Sequence, residues 1–467
     1  MRTSIATLLL PAVLVSLVAC RPGSDGAAPV GKDETKESTG APANAPRTES
    51  TTAPKVDDAL VVSRRLALSP APGSAAVDTM IQTTQKSVER NPEKVDFWIL
   101  LGRAWVRKAR ESADPGFYLN AKACADVAKS ISPDNVAALN LEAMVDLSNH
   151  AFREALDVTR KILAKDADDP SAHGTESDAY LELGRYEEAI RSAQKMVDLK
   201  PNLPSYSRVS YLAWLRGDLA KAKETVRLAL DSGKDVRDPE PYAWVLVQAG
   251  NLFLSAGDFD GADAGFDKAL EWFPEFAPAL VGKAKVAFGK GDAPKMVEYS
   301  KRAFTKSPLA ETAWLRGDAE TMAGNAAAAD AAYATVVKEG RRTDPRTLAL
   351  FFATKARTPA ELEEAVKLAR EEMSARPDLW SEDALAWALF KSGHAKEARP
   401  LVDHARALGT KDARLLYHQG AIHVATGDVA SGKKLLAEAA ATNRAFDLTG
   451  SAELARALGT NARGATK

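Results

Sequence analysis

Leu246-Val247-Gln248-Ala249-Gly250-Asn251-Leu252-Phe253, then Ala262-Asp263-Ala264-Gly265-Phe266 and Pro274, is the stretch from which the rest of this 467-residue chain becomes readable. Leu246, Ala249, Gly250 and Phe253 fall at the three- and four-residue steps of one helical face, and Ala262 and Phe266 repeat the step. Between them Gly257 supplies a turn, because glycine enters the left-handed backbone region without a Cβ penalty. Pro274 cannot continue a helix. The stretch therefore predicts two antiparallel helices, A and B, whose small residues allow close approach.

Working outward, the same signals recur. Small residues opening a helical pattern stand at Ala121, Ala155, Ala189, Ala222, Ala262, Ala329, Ala365, Ala398 and Gly432, with Met296 in the one missing place. Successive markers stand roughly 34 residues apart, with the longest step between Ala222 and Ala262. Turn glycines at Gly184, Gly217, Gly257, Gly291, Gly324, Gly393 and Gly427 keep the same phase. Two independent markers in one phase define a repeat, and a single hairpin cannot bury its apolar face alone whereas a stack of ten can.

The unit resembles the tetratricopeptide repeat, with its W-x2-L-G-x2-Y…A-x3-F…P pattern over about 34 residues. Trp98-x2-Leu101-Gly102-x2-Trp105 matches its first half, the stretch from Leu246 to Pro274 matches nearly all of it, and Leu183-Gly184-Arg185-Tyr186-Glu187-Glu188-Ala189 is typical of the family. The resemblance implies an all-α, right-handed superhelical solenoid of about ten helix-turn-helix repeats. The array is expected over residues 95–446, after an N-terminal helical cap at 57–94 and before a C-terminal cap and tail at 447–467. Two units are long, around Arg110 to Tyr118 and between Asp231 and Pro241, and both extensions read as loops. In the eighth unit Thr358-Pro359 replaces the turn glycine, so proline is expected to start helix B.

The start of the chain has a different character. Arg2 precedes an apolar run from Ile5 to Ala19, too short for a comfortable membrane span, and Leu17-Val18-Ala19-Cys20 resembles the bacterial lipobox. That resemblance implies a lipoprotein signal peptide at 1–19 and diacylglycerol on Cys20. Residues 20–56 are rich in Pro, Gly, Ser, Thr, Ala and charge, and read as a disordered tether. Arg21 follows the cysteine in place of the aspartate that commonly retains such proteins in an inner membrane, so the resemblance implies an outer-membrane lipoprotein facing the periplasm in a Gram-negative host.

Composition excludes several classes. Sixty-two Lys+Arg against 63 Asp+Glu leave no basic bias for a polyanion, so no nucleic acid is expected as partner. Two cysteines, Cys20 and Cys124, exclude a disulfide framework, and no Cys/His spacing suits zinc, so neither metal nor cofactor is expected. Gly427-x4-Gly432-Lys433-Lys434 falls short of a phosphate-binding loop, since Lys434 stands where the magnesium-binding hydroxyl belongs. Asp166, Asp168 and Asp169 lack the spacing of a calcium loop, and His418 and His423, five apart, point in different directions around a helix. With no clustered nucleophile and base, the chain is read as a non-enzyme.

In such arrays the A-helices line a concave groove. Aligning the units places Tyr211, Trp214, Trp244, Phe288, Trp314, Trp380, Trp387, Phe390 and Tyr417 on or beside that surface. An aromatic groove anchors a peptide strand or an amphipathic helix at little entropic cost, whereas a one-residue register error would put several of these rings in the core. The groove candidates for a carboxylate clamp, Arg103, Asn140, Asn251 and Lys285, are spread over four units, which disfavours that class. The expected function is a membrane-anchored scaffold or adaptor gathering other envelope proteins or peptide segments. The alternative is a glycan-binding accessory protein for exported or wall polysaccharide, with Arg316, Asp318 and Asp383 flanking Trp314 and Trp380.

Overall fold

The computed structural model describes residues 56–460 apart from 72, 236 and 237. The signal peptide expected at 1–19, the lipidation site Cys20 and the linker up to residue 55 lie outside the described residues. Among those described, every regular element is helical, and there are 23 helices.

Helices α1 (Val56–Ala67) and α2 (Ala76–Arg90) precede ten hairpins. The first five pair α3 (Val95–Ser112) with α4 (Phe117–Ile131), α5 (Val136–Ser148) with α6 (Phe152–Leu163), α7 (Pro170–Glu182) with α8 (Tyr186–Leu199), α9 (Leu203–Leu215) with α10 (Leu219–Ser232), and α11 (Glu240–Ser255) with α12 (Phe259–Trp272). The second five pair α13 (Ala277–Gly289) with α14 (Ala293–Lys306), α15 (Ala310–Met322) with α16 (Ala326–Thr343), α17 (Pro345–Lys355) with α18 (Pro359–Ala375), α19 (Leu379–Lys391) with α20 (Ala395–Ala405), and α21 (Ala413–Ala425) with α22 (Val429–Thr442). The short α23 (Leu448–Ala457) covers the end of the stack.

Local chemistry accounts for the boundaries. Asn135, Asp169, Asn202, Asp218, Asp258, Asp292, Asp344, Asp378, Asp412 and Asp428 each place a side-chain oxygen on an orphan amide of the following first turn. All seven turn glycines have positive φ, between 68° and 93°. Thr358 and Glu361 close a reciprocal cap around Pro359, which opens α18 as its sequence implies. The extension in the first unit is mostly not a loop. It lengthens α3 to 18 residues, leaving only Ala113 to Gly116 between the helices, because Trp105, Val106 and Ala109 carry the buried face one turn further.

The small-residue ruler is a packing ruler. Every alanine on it is at most 4% exposed, and Met296 is equally buried. Phe266 shows the fit most clearly. Fully buried, it wedges between α11 and α13, where a Cβ on Gly250 or Gly282 would collide with its ring. Burying one such side chain contributes about 1.5–3 kcal/mol, and the two glycines are what make the slot. Gly432 does the same for α22, its Cβ position lying 2.7 Å from the Gly420 carbonyl of α21, which explains that glycine without any phosphate loop.

The array does not stay open. It winds until the third to fifth hairpins meet the last hairpins, through hydrogen bonds between residues 169 to 195 positions apart. The turns at Gly184, Gly217 and Gly257 lie against the loops at Pro377, Gly409 and Thr442. The concave groove expected from the sequence is therefore the lumen of a closed ring.

A closed lumen as the candidate binding site

Closure depends on a few side chains arriving from far apart. Tyr186, opening α8, accepts a hydrogen bond from the Leu379 amide at 2.7 Å. The Thr410 hydroxyl donates to the Leu215 carbonyl at 2.6 Å, and the Asn443 amide to the Leu254 carbonyl at 2.9 Å. Trp380 stacks on Trp214 with ring centroids 6.0 Å apart and donates its indole N–H to the Tyr211 hydroxyl at 3.2 Å. Leu181, Leu212 and Leu215 share one apolar cluster with Leu379 and Leu415. Beneath them Arg376 pairs with Glu182 and lies 3.6 Å from Asp378, which Arg346 meets at 3.3 Å. Burial pushes the Glu182 carboxyl up to about 7 despite the pull of Arg376, since removing the carboxylate from water outweighs its partner's charge.

The enclosed space comprises two cavities of about 620 and 700 Å³. They share walls at Phe152, Tyr211, Gln248, Asn251, Lys285, Glu311, Arg376 and Trp380, so they are two parts of one lumen. The A-helices from α7 to α21 supply about half of the wall, and loops and B-helices the rest. Both long units also reach it, through Arg110 to Tyr118 and through Glu240 and Pro241. An ion pair of 3.3 Å between Arg107 of α3, one turn before the first insert, and Asp238 links the two long units. Neither composition nor period could have indicated that the extra residues face inward.

Eight of the nine aromatic residues expected at the groove line these cavities, and they divide into three sets. Tyr211, Trp214 and Trp380 are engaged in closing the ring. Trp387 and Tyr417 line the wall yet are only 2% and 4% exposed, so they offer an occupant little of their surface. Trp387 stacks on His418 at 3.9 Å, while the Tyr417 hydroxyl donates to Glu453 at 2.5 Å. Phe390 packs on Trp387 at 5.2 Å, beside the wall, and does not line either cavity itself. Trp244, Phe288 and Trp314 remain half-buried on the wall. Sequence reasoning missed Tyr118, Phe152, Tyr186, Phe276 and Phe446, which complete the lining from loops and B-helices.

The polar wall is mixed in charge. On α11, Trp244, Gln248 and Asn251 follow one another at helical steps, and Lys285 faces Glu311 at 3.4 Å. Of the other dispersed candidates, Asn140 is buried and donates to Asp169, and neither it nor Arg103 lines the cavities. The polar groups expected to flank a sugar are already engaged. Asp318 accepts from Tyr333 at 2.7 Å and pairs with Lys355 at 2.9 Å, and burial raises its carboxyl. Asp383 holds His418 at 2.8 Å, and Arg316 lies over Phe304. Cys124 is fully buried, and burial pushes its thiol well up, which suits packing and not nucleophilic chemistry. Among the described residues, no three His, Cys, Asp or Glu side chains gather as a metal set, and no helix is long and apolar enough to cross a membrane.

Residues 140–204, spanning the second and third hairpins and the start of the fourth, match the family model described as Tetratricopeptide repeat. No curated protein sequence matches the chain. Among solved structures, the type IV pilus biogenesis factor PilW is similar at 20% identity over 44% of this chain and 94% of its own, with a TM-score of 0.38. A human IFIT1 dimer with m7Gppp-AAAA is similar at 12% identity over 84% of this chain and 96% of its own, with a TM-score of 0.46. MamA is similar at 21% identity over 37% and 91%, with a TM-score of 0.29.

Proposed function

We propose that this array of tetratricopeptide-type hairpins is a protein–protein interaction scaffold of the bacterial cell envelope, anchored to a membrane through lipidated Cys20, which takes a peptide segment of its partner into the ring. The observation that carries the reading is the lumen, with Trp244, Phe288 and Trp314 on its wall and not engaged at the closure. Large rings of few rotatable bonds give contact area at low entropic cost, and the mixed polar residues between them suit a peptide backbone better than a phosphate chain. The repeat fold supports protein binding; the anchor and the envelope setting rest on the sequence around Cys20. The glycan alternative loses support, since Asp318 and Asp383 are held by Lys355, Tyr333 and His418. We assign the chain no catalytic step.

The test is crosslinking in intact cells followed by mass spectrometry, comparing the wild type with Trp244→Ala/Phe288→Ala. Loss of a defined protein set from the variant, at unchanged helicity and abundance, supports the reading, and equal capture by both refutes it. Membrane fractionation of Cys20→Ala tests the anchor separately: retention in high-salt membrane pellets would refute lipidation as the attachment.

A further inference from the structure

The seven turn glycines share one backbone conformation but not one environment. A Cβ on Gly184 would strike the Pro377 carbonyl and one on Gly217 the Gly409 carbonyl, whereas Gly291, Gly324, Gly393 and Gly427 have nothing within 4 Å. Glycine at 184 and 217 thus serves two needs, the turn and the approach of a distant loop. Elsewhere in the array each hairpin packs on its neighbour along helix faces. Here turns meet loops, joined by isolated hydrogen bonds from Leu379, Thr410 and Asn443, one small leucine cluster, the Trp380–Trp214 stack with its Tyr211 hydrogen bond, and the Arg376–Glu182 pair.

We propose that this seam is a gate, opening as a unit without unfolding either flanking hairpin, so that a chain segment enters the ring sideways and is then enclosed. This rests on the lumen being the binding site. Three features support it. The seam is the place where the described array can part without separating sequence neighbours. The Glu182–Arg376 pair is buried across it, and a buried ion pair sets register more reliably than it adds stability, because desolvation offsets attraction. Finally, Tyr211, Trp380 and Arg376 belong both to the seam and to both cavities, so an occupant touching these walls has different contacts in the closed and open rings and shifts the balance between them.

The experiment is native-state hydrogen exchange of the full chain, without any partner, read by mass spectrometry across a denaturant series. The amides of residues 378–383, which include the Leu379 donor to Tyr186, should exchange through an opening with far weaker denaturant dependence than the helix interiors of α11 and α13. Gly184→Ala/Gly217→Ala should speed exchange there at least ten-fold, with helicity and the α17 amides unchanged. Gly291→Ala/Gly393→Ala imposes the same left-handed strain with open space around it, and should leave the seam amides as in the wild type. Exchange at 378–383 that follows global unfolding overturns the gate, as does equal acceleration by both double variants. Because no partner is present, failure here is distinguishable from failure of the scaffold reading, which shows only in capture by the Trp244/Phe288 variant.

Discussion

Trp387→Ala separates a groove anchor from a core residue. The side chain is 2% exposed, stacked on His418 at 3.9 Å with an 11° tilt, and flanked by Phe390 at 5.2 Å and Tyr417 at 5.4 Å. Its indole nitrogen has no hydrogen-bond partner, so truncation costs packing and the Lys391 ammonium contact 5.1 Å over the ring, but no hydrogen bond. A buried tryptophan removes about 150–250 Å² from water, which at about 25 cal/mol per Å² gives an upper bound of roughly 4–6 kcal/mol. Substitutions of this kind cost about 3–5 kcal/mol. In a stack of repeats the loss falls locally, so the ninth and tenth hairpins should melt before the rest and a single two-state fit should fail. Urea titration followed by circular dichroism, with hydrogen exchange over residues 379–442, measures both effects. Trp387→Phe keeps an aromatic ring and should lose about half as much. A loss below about 1 kcal/mol for the alanine variant, with exchange over those hairpins unchanged, would falsify the core assignment.

Three further outcomes are expected. Arg376→Ala leaves the buried Glu182 carboxyl without its partner and drives it to the protonated form, which should destabilise the closed seam by about 1–3 kcal/mol and raise the radius of gyration in X-ray scattering at constant helicity; Glu182→Leu/Arg376→Met should restore the compact value, and no expansion in the single variant would mean the pair does not hold the ring. Gly250→Ala should destabilise by about 1–2 kcal/mol, although alanine favours helix, because the added Cβ falls 2.7 Å from the Phe266 ring; a rise in stability would remove the wedge explanation. Burial raises the Asp146 carboxyl to about 6, so the folded state holds this proton more tightly than the unfolded chain and loses stability as pH climbs from about 4 to about 6. Asp146→Asn should therefore stabilise by about 1–2 kcal/mol at pH 7, with nothing gained at pH 3.5, and an equal gain at both pH values would exclude this cause.

The repeat was legible because its signals are local. A glycine that must turn, a small residue that must be approached and a proline that must stand at a helix start each occupy a fixed place within the unit, and even the irregular eighth hairpin declares itself through Thr358 and Pro359. The site was legible only in part. Aromatic residues on A-helices do line the lumen, but which are covered depends on neighbours the sequence does not reveal. In α19 every residue from Ser381 to Leu389 is buried, so no periodicity distinguishes an inner face from an outer one. Closure was not legible at all. It results from small rotations summed over several hairpins, and Glu182 and Arg376 read as ordinary surface charges until the winding brings them together.

Closure changes what the number of repeats means. In an open solenoid, removing one hairpin shortens the array and leaves each remaining interface as it was. In this ring three turns must meet three loops in step: Gly184 with Pro377, Gly217 with Gly409, and Gly257 with Thr442. Gly184, Gly217 and Gly257 close successive hairpins, and Pro377, Gly409 and Thr442 end successive hairpins, so both sides advance by one hairpin at a time. The longer step on the first side, from Gly217 to Gly257, is accommodated between α10 and α11, before the lumen-lining Glu240 and Pro241, outside the contact register. Deleting the sixth hairpin, residues 277–309, should therefore shift every pairing by one repeat and leave the ring open. Removing residues 56–135, which contribute nothing to the three matched contacts, should leave it closed. X-ray scattering of the two deletions decides the matter. If both give the compact profile, the seam slides from one register to the next and three-point matching does not set the size of the ring. If only the second does, the length of the array is fixed by the lumen it has to enclose.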